Sequence, residues 1–503
     1  MLKSYSTTED TSSLKNKFSG LAYKQLGKTG LTVSCCGFGS YRVDFRVQEH
    51  SDALEYALLN GINLIDTSAN YSDGGSETLI GNVLEKLCNE KKIKREEIVV
   101  VSKGGYIQGK NFELAKKKKD EGKEYKEVTE YTENLWHCIH PEFLKDQITA
   151  SLERMKLETV DVYLLHNPEY FLDSPVANEL DLKELRVEYY RRIKSAFEYL
   201  EEEVIEGRIQ HYGISSNSFV LNHDAQTFTS LQVCKEVANR ISERNHFSVI
   251  QFPLNLYETG AVKEKNQNGG TQTLLEYVSQ QNLGTIVNRP LNAILDKRLV
   301  RLADFEVDSE YTKLQEAQII AEIELLDSME NDFLENEMPS VEMIDRNREA
   351  ITAFLRAGKL VKENWKNFGT IESFNDLKKN FLIPRVNFAF TILLTSKDIS
   401  EDAKDKLDKI ARQINRIALI IESIYGMMAN ERSKQIHDKL NSTVSEEEEW
   451  FKELLLSQKS IVTINSLDEV CCTLVGMRQS NYVDEVLECL KMENLSEAKK
   501  LFG

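Results

Sequence analysis

A chain of 503 residues with 41 % hydrophobic side chains can bury a large core and has the composition of a globular protein. Its net charge of −18 disfavours nucleic acid and anionic membrane surfaces as partners. No stretch approaches the roughly 20 apolar residues of a membrane helix, and the 8 cysteines contain no CxxC pair, which favours reduced thiols and a cytoplasmic location.

The chain begins with a polar segment that precedes the first predicted strands. Residues 1–20 are rich in Ser and Thr and lack the apolar run of a secretory signal, so we expect a flexible segment there. A mitochondrial presequence is the alternative, which Glu9 and Asp10 disfavour. Tyr23–Leu26 and Leu31–Ser34 then flank a Gly-Lys-Thr-Gly turn, a pattern that predicts a hairpin.

Three apolar runs predict buried strands, and each ends in a polar side chain with catalytic chemistry. These runs are Ile62–Ile65 before Asp66, Ile98–Ser102 before Lys103 and Val160–Leu165 before His166. Tyr71 follows Asp66 by five positions, in the loop after its strand. If the strands are parallel neighbours, the four side chains converge at one end of the sheet.

This combination of side chains suits proton delivery to an oxygen that becomes an alkoxide. A tyrosine has a reference pKa of about 10, and we expect the ammonium of Lys103 to lower it, with Asp66 keeping that lysine charged. His166 would donate a hydrogen bond to a substrate carbonyl, while hydride arrives from elsewhere. The alternative is that each is an ordinary polar residue at the end of a strand.

The sequence resembles the aldo-keto reductases over roughly residues 21–290 and 472–490. The motifs that carry the resemblance are Gly37-Phe38-Gly39-Ser40, Asn63-Leu64-Ile65-Asp66-Thr67-Ser68, Val101-Ser102-Lys103, Leu164-Leu165-His166-Asn167-Pro168-Glu169, Gly213-Ile214-Ser215-Ser216-Asn217 and Val475-Gly476-Met477-Arg478. The resemblance implies a (β/α)8 TIM barrel, of the α/β class, with a nicotinamide cofactor at the C-terminal face of the strands. It also implies that Asp66, Tyr71, Lys103 and His166 are the catalytic residues.

The resemblance further implies a set of cofactor-binding residues. They are Gly39, Ser40, Ser215, Ser216, Asn217, Gln251, Asn288, Arg289, Pro290, Leu291, Gly476, Met477, Arg478, Tyr482 and Glu485. Either Ser216 or Asn217 takes the part of the family's Asn beside the nicotinamide carboxamide, and Gln251 matches its other amide contact. Asn288 stands where many members carry a stacking aromatic residue.

The cofactor implied by the resemblance is NADPH (NADP) in preference to NADH. Arg478 can grip a 2′-phosphate by charge and geometry, and it follows the last predicted strand directly. Two positions depart from the family pattern. Tyr482 stands where many members have Gln, and Val486 stands where they have Asn.

A long charged stretch from Ile107 to Trp136 interrupts the barrel pattern after the third predicted strand. Long loops at this end of a barrel are usually lids or disordered covers, and its run of four lysines, Lys116–Lys119, is interpreted as a solvated surface. His137, Cys138 and His140 follow it and superficially resemble metal ligands. Because no second cluster completes a set, we expect no metal site.

After residue 302 the barrel pattern gives way to successive predicted helices. We expect a helical insertion over 303–460, packed on the barrel, between strand seven in the 21–302 part and strand eight. Strand eight, the cofactor-binding loop and the C-terminal helices then occupy 461–503. The insertion contains an apolar seam at three- and four-residue steps: Leu407, Ile410, Ile414, Ile417, Ile421 and Ile424.

The leading functional hypothesis is an NAD(P)H-dependent reductase of an aldehyde or ketone, with Tyr71 as proton donor. One alternative is an NAD(P)-dependent dehydrogenase that oxidises a sugar lactol with the same residues. Another is a cofactor-sensing regulatory subunit resembling the potassium-channel β subunits. We expect a small-molecule carbonyl as partner, no nucleic acid and no membrane, and the insertion could carry a homodimer contact.

Overall fold

The computed structural model of the protein describes residues 1–295, 298–305, 307, 310–338, 342–396 and 399–503. The chain divides into two compact units, which are described separately. The barrel unit comprises Met1–Leu291, Val444–Leu454 and Gln458–Gly503. The helical unit comprises Asn292–Thr443 and Leu455–Ser457.

The barrel unit alternates strands and helices up to residue 291. Its strands are β1 (Tyr23–Gln25), β2 (Thr32–Ser34), β3 (Cys36–Gly39), β4 (Leu64–Asp66), β5 (Val99–Gly104), β6 (Tyr106–Ile107), β7 (Thr129–Thr132), β8 (Leu135–His137), β9 (Val160–His166), β10 (Ile209–Ser215), β11 (Phe247–Pro253), β12 (Lys265–Gln267), β13 (Gln272–Thr273) and β14 (Gly284–Asn288). Its α-helices are α1 (Thr8–Lys17), α2 (Gln48–Leu59), α3 (Gly75–Asn89), α4 (Gly109–Asp120), α5 (Pro141–Met155), α6 (Leu182–Ile205), α7 (Leu231–Ile241), α8 (Gly260–Lys263) and α9 (Leu274–Gln280).

The helical unit follows, and the chain then returns to the barrel. The helical unit contains β15 (Asn292–Leu295), β16 (Arg298–Arg301), α10 (Glu316–Asp332), α11 (Glu342–Phe354), α12 (Ala357–Asn364), α13 (Ile371–Leu377), α14 (Ile383–Thr395) and α15 (Glu401–Thr443). The return consists of α16 (Leu456–Asn465), β17 (Cys472–Val475) and α17 (Ser480–Cys489).

Eight parallel strands form a closed barrel in the order β10-β11-β14-β17-β3-β4-β5-β9. Their apolar side chains pack inside it with Leu26, Leu31 and Val33 from the antiparallel hairpin β1–β2 and its turn. The Gly-Lys-Thr-Gly turn between Tyr23–Leu26 and Leu31–Ser34 predicted this hairpin. The helical unit lies in sequence between the seventh and eighth barrel strands. The predicted fold, a (β/α)8 barrel with a large helical insertion at that point, is confirmed.

The strand register brings polar side chains to one end of the barrel. Asp66 pairs in register with Val101 of β5, and Lys103 pairs with Leu164 of β9. Further round, Ser215 of β10 stands opposite both His166 and Gln251. Because all eight strands run parallel, these positions share the carboxyl-terminal end, where (β/α)8 barrels carry their active sites.

The amino-terminal end of the same strands holds a buried ion pair. Arg95 Nη2 lies 2.8 Å from Asp161 Oδ2, and the two side chains are 2 % and 0 % exposed. Asp161 also accepts hydrogen bonds from the backbone N–H groups of Ser6 and Val100, each at 2.7 Å. The pair ties the starts of β5 and β9 to the N-terminal segment.

Residues 1–20, expected to be flexible, contain a helix and are bonded to the barrel. The Thr7 side chain caps α1 by accepting from the Asp10 N–H, and the Leu2 N–H donates to the Lys156 carbonyl oxygen at 2.7 Å. With the contact from the Ser6 N–H to Asp161, these bonds fix the segment at several points. The expectation overlooked the capping pattern, in which a Thr precedes an acidic residue by three positions.

The stretch between β5 and α5, expected to be a long loop, is folded. It forms α4 and the antiparallel sheet β6-β8-β7, in which Tyr106 pairs with His137. Phe112 and Trp136 pack in its own apolar cluster. We refer to Tyr106–His137 as the excursion.

The helical unit has an apolar core of its own, whose buried members lie between Tyr311 and Ala429. Five of the six seam positions, from Leu407 to Ile421, are buried in it, and Ile424 packs against it partly buried. The unit starts at Asn292 rather than at residue 303, because the antiparallel pair β15–β16 belongs to it. Since the seam is covered within the unit, it does not require a barrel surface, and packing of the insertion on the barrel stays a prediction.

Among the described residues, no helix is both long enough and apolar enough to cross a bilayer, including the 43-residue helix α15.

Candidate active site

Three barrel strands and one loop bring the predicted catalytic side chains together. Lys103 Nζ donates to Asp66 Oδ2 at 2.7 Å and to the Thr67 carbonyl oxygen at 2.8 Å. The same ammonium lies 3.4 Å from Tyr71 Oη. The ring centroids of Tyr71 and His166 are 6.0 Å apart. The four side chains therefore form one cluster, and their catalytic roles stay predictions.

The ion pair at the centre of this cluster is buried. Lys103 is 0 % and Asp66 3 % exposed. Burial lowers the pKa of Lys103 and raises the pKa of Asp66, and the attraction between the two charges opposes both shifts. Gln251 Nε2 donates to the second carboxylate oxygen, Asp66 Oδ1, at 2.7 Å.

Tyr71 carries its proton at neutral pH. Burial raises the pKa of Tyr71 well above its usual value, and the Asp66 carboxylate and Tyr41 raise it further. Our expectation of a lowered pKa for Tyr71 is therefore wrong: the net shift is upward, and burial is its largest cause. The Lys103 ammonium, 3.4 Å from the phenol oxygen, does not reverse this shift. A protonated phenol is the form that a proton donor requires.

His166 is a neutral imidazole with one N–H group. Burial lowers its pKa well below the usual 6.5, and the charge of Lys103 lowers it further. Its Nδ1 atom lies 3.0 Å from Ser68 Oγ. A neutral imidazole that accepts at Nδ1 donates at Nε2. Donation to a substrate oxygen through Nε2 therefore requires that the Ser68 hydroxyl donate to Nδ1.

A chain of amide and hydroxyl groups leads from the cluster to the neighbouring strand ends. Ser215 Oγ donates to Gln251 Oε1 at 3.0 Å, and Asn288 Nδ2 lies 3.4 Å from the same oxygen. Gln251 thus joins Asp66 to the ends of β10 and β14. These are three of the positions that the resemblance assigns to cofactor binding.

Buried polar atoms near these strand ends have no partner among the residues that the structure describes. They are Asn288 Oδ1, Arg289 Nε and Glu169 Oε2. Glu169 Oε1 accepts from the Asn217 N–H at 2.8 Å, and burial raises the pKa of Glu169 to about 7. Unpaired buried polar groups are unfavourable unless water or a ligand satisfies them. The residues present therefore fit a polar ligand such as a nicotinamide nucleotide.

Other predicted cofactor positions near this end bond within the protein. Ser40 Oγ donates to the Asp66 carbonyl oxygen at 2.7 Å, and Gly39 stands beside it at the end of β3. Ser216 Oγ lies 3.0 Å from Ser218 Oγ. The Pro290 carbonyl oxygen accepts from Ser460 Oγ at 2.7 Å, and Leu291 is the half-buried residue that ends this part of the barrel unit.

The predicted adenosine-phosphate residues lie apart from the catalytic cluster, after β17 and on α17. Gly476 has open space where a Cβ would stand, and the half-buried Arg478 has no ion-pair or hydrogen-bond partner in the described parts of the chain. Tyr482 and Glu485 are exposed on α17. Met477 is fully buried, so this residue offers no accessible surface.

The structure adds site residues that the sequence did not single out. Ser68 Oγ lies 2.7 Å from Asn70 Oδ1, so its single proton goes either to that oxygen or to His166 Nδ1, and the hydrogen-bond donation that we propose for His166 requires the second arrangement. Asn70 Nδ2 donates to Gln108 Oε1 of the excursion at 3.2 Å. The ring of Tyr106 packs edge-on against His166, with centroids 4.6 Å apart. Proximity in sequence could have indicated Ser68 and Asn70, which lie between Asp66 and Tyr71. No local pattern indicates the contacts of the excursion.

The candidate metal ligands after the excursion have other partners. His137 Nε2 lies 2.7 Å from the His166 carbonyl oxygen, Cys138 Sγ lies 3.4 Å from the Lys126 carbonyl oxygen, and His140 Nδ1 accepts from the Glu142 N–H. Across residues 1–295 and the later described ranges, no group of three or more His, Cys, Asp and Glu side chains is placed to hold a metal ion.

Comparison with known proteins identifies the family. The sequence model of the aldo/keto reductase family matches residues 37–365. The chain therefore belongs to the aldo/keto reductase family, and the resemblance seen in its motifs is confirmed.

Three individual relatives share at most 30 % of the matched residues with this chain. The chain is 30 % identical over 175 residues to the NADH-specific methylglyoxal reductase of Escherichia coli (strain K12), a match that covers 32 % of this chain and 48 % of that protein. The chain thus spans about half the length of this curated relative. An aldo-keto reductase from Bacillus halodurans in its holo form shares 15 % identity, with 96 % of this chain and 95 % of that chain covered and a TM-score of 0.45. An aldo/keto reductase from Klebsiella pneumoniae, solved in complex with NADP and acetate, shares 12 % identity, with 95 % and 92 % covered and a TM-score of 0.41.

Proposed function

We propose that the protein is an NAD(P)H-dependent oxidoreductase that reduces an aldehyde or ketone to an alcohol. The observation that carries the proposal is the position of Lys103 Nζ, which touches Asp66 and lies 3.4 Å from the phenol of Tyr71, beside the neutral His166. The chemistry that a bound nicotinamide cofactor supplies is hydride transfer to the carbonyl carbon.

In this proposal the protein's own residues bind, orient and protonate the carbonyl oxygen. His166 donates a hydrogen bond from Nε2 to that oxygen, and Tyr71 delivers its phenolic proton as the alkoxide forms. The Lys103 ammonium stabilises the phenolate that remains, and Asp66 holds the ammonium in place. Because both ions are buried, their fields act with little screening by water.

The cofactor would occupy the strand ends that carry unsatisfied polar groups. Ser215, Asn217, Gln251 and Asn288 would hold the nicotinamide end, and Arg478 beside the open space at Gly476 would bind a 2′-phosphate. The unpaired guanidinium supports NADPH over NADH. The Escherichia coli relative is named as NADH-specific, so the preference requires a direct measurement.

The same residues would serve the reverse reaction, oxidation of a sugar lactol, which is the second candidate. A cofactor-sensing regulatory subunit is the third, and the complete catalytic cluster argues against it because a pure sensor needs no buried proton donor. We infer a cytoplasmic location because all 8 cysteines are free thiols, as is usual in a reducing compartment.

Replacement of Tyr71 by Phe tests the proposal. Turnover of a carbonyl panel that includes methylglyoxal and an aromatic aldehyde should fall by about 10²–10⁴-fold, while NADPH affinity from fluorescence quenching stays the same. Tyr5→Phe is the control, because Tyr5 is 42 % exposed near the amino terminus. If Tyr71→Phe turns over within a few-fold of the wild type, Tyr71 is not the proton donor. If the wild type binds NADPH but reduces no member of the panel, the cofactor-sensing regulatory subunit is favoured instead.

A further inference from the structure

His137 makes a direct contact with the backbone of the candidate catalytic histidine. It lies on β8, in the sheet of the excursion, and its Nε2 atom is 2.7 Å from the His166 carbonyl oxygen. Burial lowers the pKa of His137 to about 4, so the ring is neutral. Since a carbonyl oxygen only accepts, the single proton of the neutral ring lies on Nε2, which donates.

Gly105 is shaped to permit this contact. A Cβ atom on Gly105 would lie 2.6 Å from His137 Nε2 and 2.6 Å from the His166 carbonyl oxygen. Both distances are shorter than a Cβ atom tolerates, so a larger residue at this position would force His137, the His166 peptide or both to move. The glycine is therefore compatible with the close approach of donor and acceptor.

The peptide that accepts this bond leads into a residue with left-handed backbone geometry. Asn167 has φ 49° and ψ 59°, a region that Asn adopts more readily than most other non-glycine residues. Two hydrogen bonds hold it there. Here the Asn167 N–H donates to the Ser215 carbonyl oxygen at 2.7 Å, and Asn167 Nδ2 donates to Tyr106 Oη at 2.7 Å.

The His137 ring is itself fixed in orientation. It is 2 % exposed and stacks on Tyr170, with centroids 5.6 Å apart and planes 10° from parallel. Tyr106, the partner of His137 in the sheet, packs edge-on against both His137 and His166. A donor held this firmly sets the position of its acceptor.

We propose that His137 is a positioning residue: its Nε2–H group holds the His166–Asn167 peptide and thereby orients the His166 ring toward the substrate oxygen. The excursion is then part of the active site, although none of its side chains takes part in proton transfer. This inference rests on the function proposed above for His166. It also gives a role to a histidine that the sequence singled out only for a superficial resemblance to metal ligands.

A matched pair of substitutions at His137 distinguishes the effect of the hydrogen-bond donor from the effect of side-chain volume. Gln can place an amide donor near the position of Nε2, whereas Met has a similar length and no donor. We expect His137→Met to lower kcat by about 10–100-fold, the range that a misplacement of about 1 Å can produce. KM for the carbonyl and Kd for NADPH should change by less than about threefold, and His137→Gln should recover most of kcat. Equal loss in both variants, or kcat of His137→Met within about threefold of the wild type, would overturn the proposal.

Gly105→Ala tests the same bond from the other side. Its Cβ should force His137 away from the His166 carbonyl oxygen and reproduce the kcat loss of His137→Met. Gly20→Ala is the control, because a Cβ there meets nothing within 4 Å. A kcat for Gly105→Ala equal to that of the wild type would contradict the proposal, and this variant also serves if His137→Met fails to fold.

A spectroscopic measurement keeps this proposal distinct from the proposed function. In protein labelled with ¹⁵N-histidine, the His166 ring signals are assigned by their loss in His166→Gln. We expect these signals to shift in His137→Met and Gly105→Ala and to stay near the wild-type position in His137→Gln. If the wild type reduces no carbonyl, the proposed function fails. The expected pattern of His166 ring shifts would still support the positioning of the His166 ring by His137. Unchanged signals in all three variants would overturn it.

Discussion

The two ends of the barrel each contain a buried ion pair, and the two pairs differ in kind. At the amino-terminal end, Arg95 and Asp161 are 2.8 Å apart, and two backbone N–H groups also donate to the carboxylate. At the carboxyl-terminal end, Lys103 and Asp66 are 2.7 Å apart, and the ammonium also lies near the phenol of Tyr71. Both pairs are almost inaccessible to solvent.

We interpret the first pair as a joint between chain segments, and the proposed function gives the second pair a role in chemistry. A guanidinium is always charged and binds in a fixed planar geometry, so Arg95 suits a permanent joint between strands. An ammonium is a point charge whose pKa shifts on burial, so Lys103 suits a site where charge changes during reaction. The Arg95–Asp161 pair is bonded to backbone groups of neighbouring segments, whereas the Lys103–Asp66 pair also contacts the side chains of Tyr71 and Gln251.

Replacement of Lys103 by Met should have the largest effect on turnover. Loss of the ammonium removes the charge that stabilises the developing phenolate, and loss of one such stabilising group typically lowers kcat by about 10²–10³-fold. Carbonyl reduction under saturating NADPH measures the effect. Lys86→Met is the control, because Lys86 forms an exposed pair with Glu55. If Lys103→Met turns over within a few-fold of the wild type, the Lys103–Asp66 pair has no special role in turnover and does not differ in function from the Arg95–Asp161 pair.

Replacement of Asp161 by Asn should lower stability and leave cofactor binding unchanged, whereas Lys103→Met should lower turnover. Breaking a buried pair leaves an uncompensated charge and typically costs about 3–5 kcal/mol in unfolding free energy. We expect that loss in urea denaturation, with NADPH affinity of the folded protein unchanged. Asp10→Asn, which breaks the exposed pair with Lys94, should change stability little. Loss of cofactor affinity in folded Asp161→Asn would show that this end also serves the site.

Glu169 should make stability depend on pH through the carboxyl-terminal end. Its pKa is raised from the ordinary 4.5 to about 7 by burial, so between these values the folded chain holds a proton that the unfolded chain has released. Stability should therefore fall as pH rises from about 4.5 to about 7 and remain lower above, by about 3 kcal/mol. Glu169→Gln cannot titrate and should lack this fall in unfolding experiments at pH 5 and pH 8. Parallel profiles for the two proteins would contradict the prediction.

The barrel and the grouping of the four candidate catalytic side chains could be predicted because their signals are local. Asp66, Lys103 and His166 each end an apolar run, and parallel strands bring such ends together whatever the loops do. The electrostatics could not be read in the same way. The direction in which the pKa of Tyr71 shifts depends on the burial of its phenol and on the distances from the phenol to Asp66 and Tyr41. A sequence contains none of these quantities.

The parts that the sequence did not predict depend on non-local pairing. The strands β6 and β8 are 2 and 3 residues long, too short for a periodic pattern, so the excursion looked like a loop. The bond from His137 to the His166 carbonyl oxygen joins residues 29 positions apart. In the insertion, the seam from Leu407 to Ile421 showed a buried helix face but not its partner, which is the core of the helical unit itself.

The two ends also differ in their arginines, and this difference gives the smallest expected effect. Arg95 is paired with Asp161, whereas Arg478 has no partner among the described residues and follows β17 beside the open space at Gly476. A guanidinium that grips a 2′-phosphate contributes about 1.5–3 kcal/mol, or roughly tenfold to a hundredfold in affinity. Arg478→Ala should therefore weaken NADPH by that factor in a fluorescence titration and leave NADH almost unchanged, since NADH lacks the phosphate. Arg478→Lys, which keeps the charge but not the planar donors, should fall between the two. Equal weakening of both cofactors would mean that Arg478 does not read the phosphate, and its lack of a partner would then need another explanation.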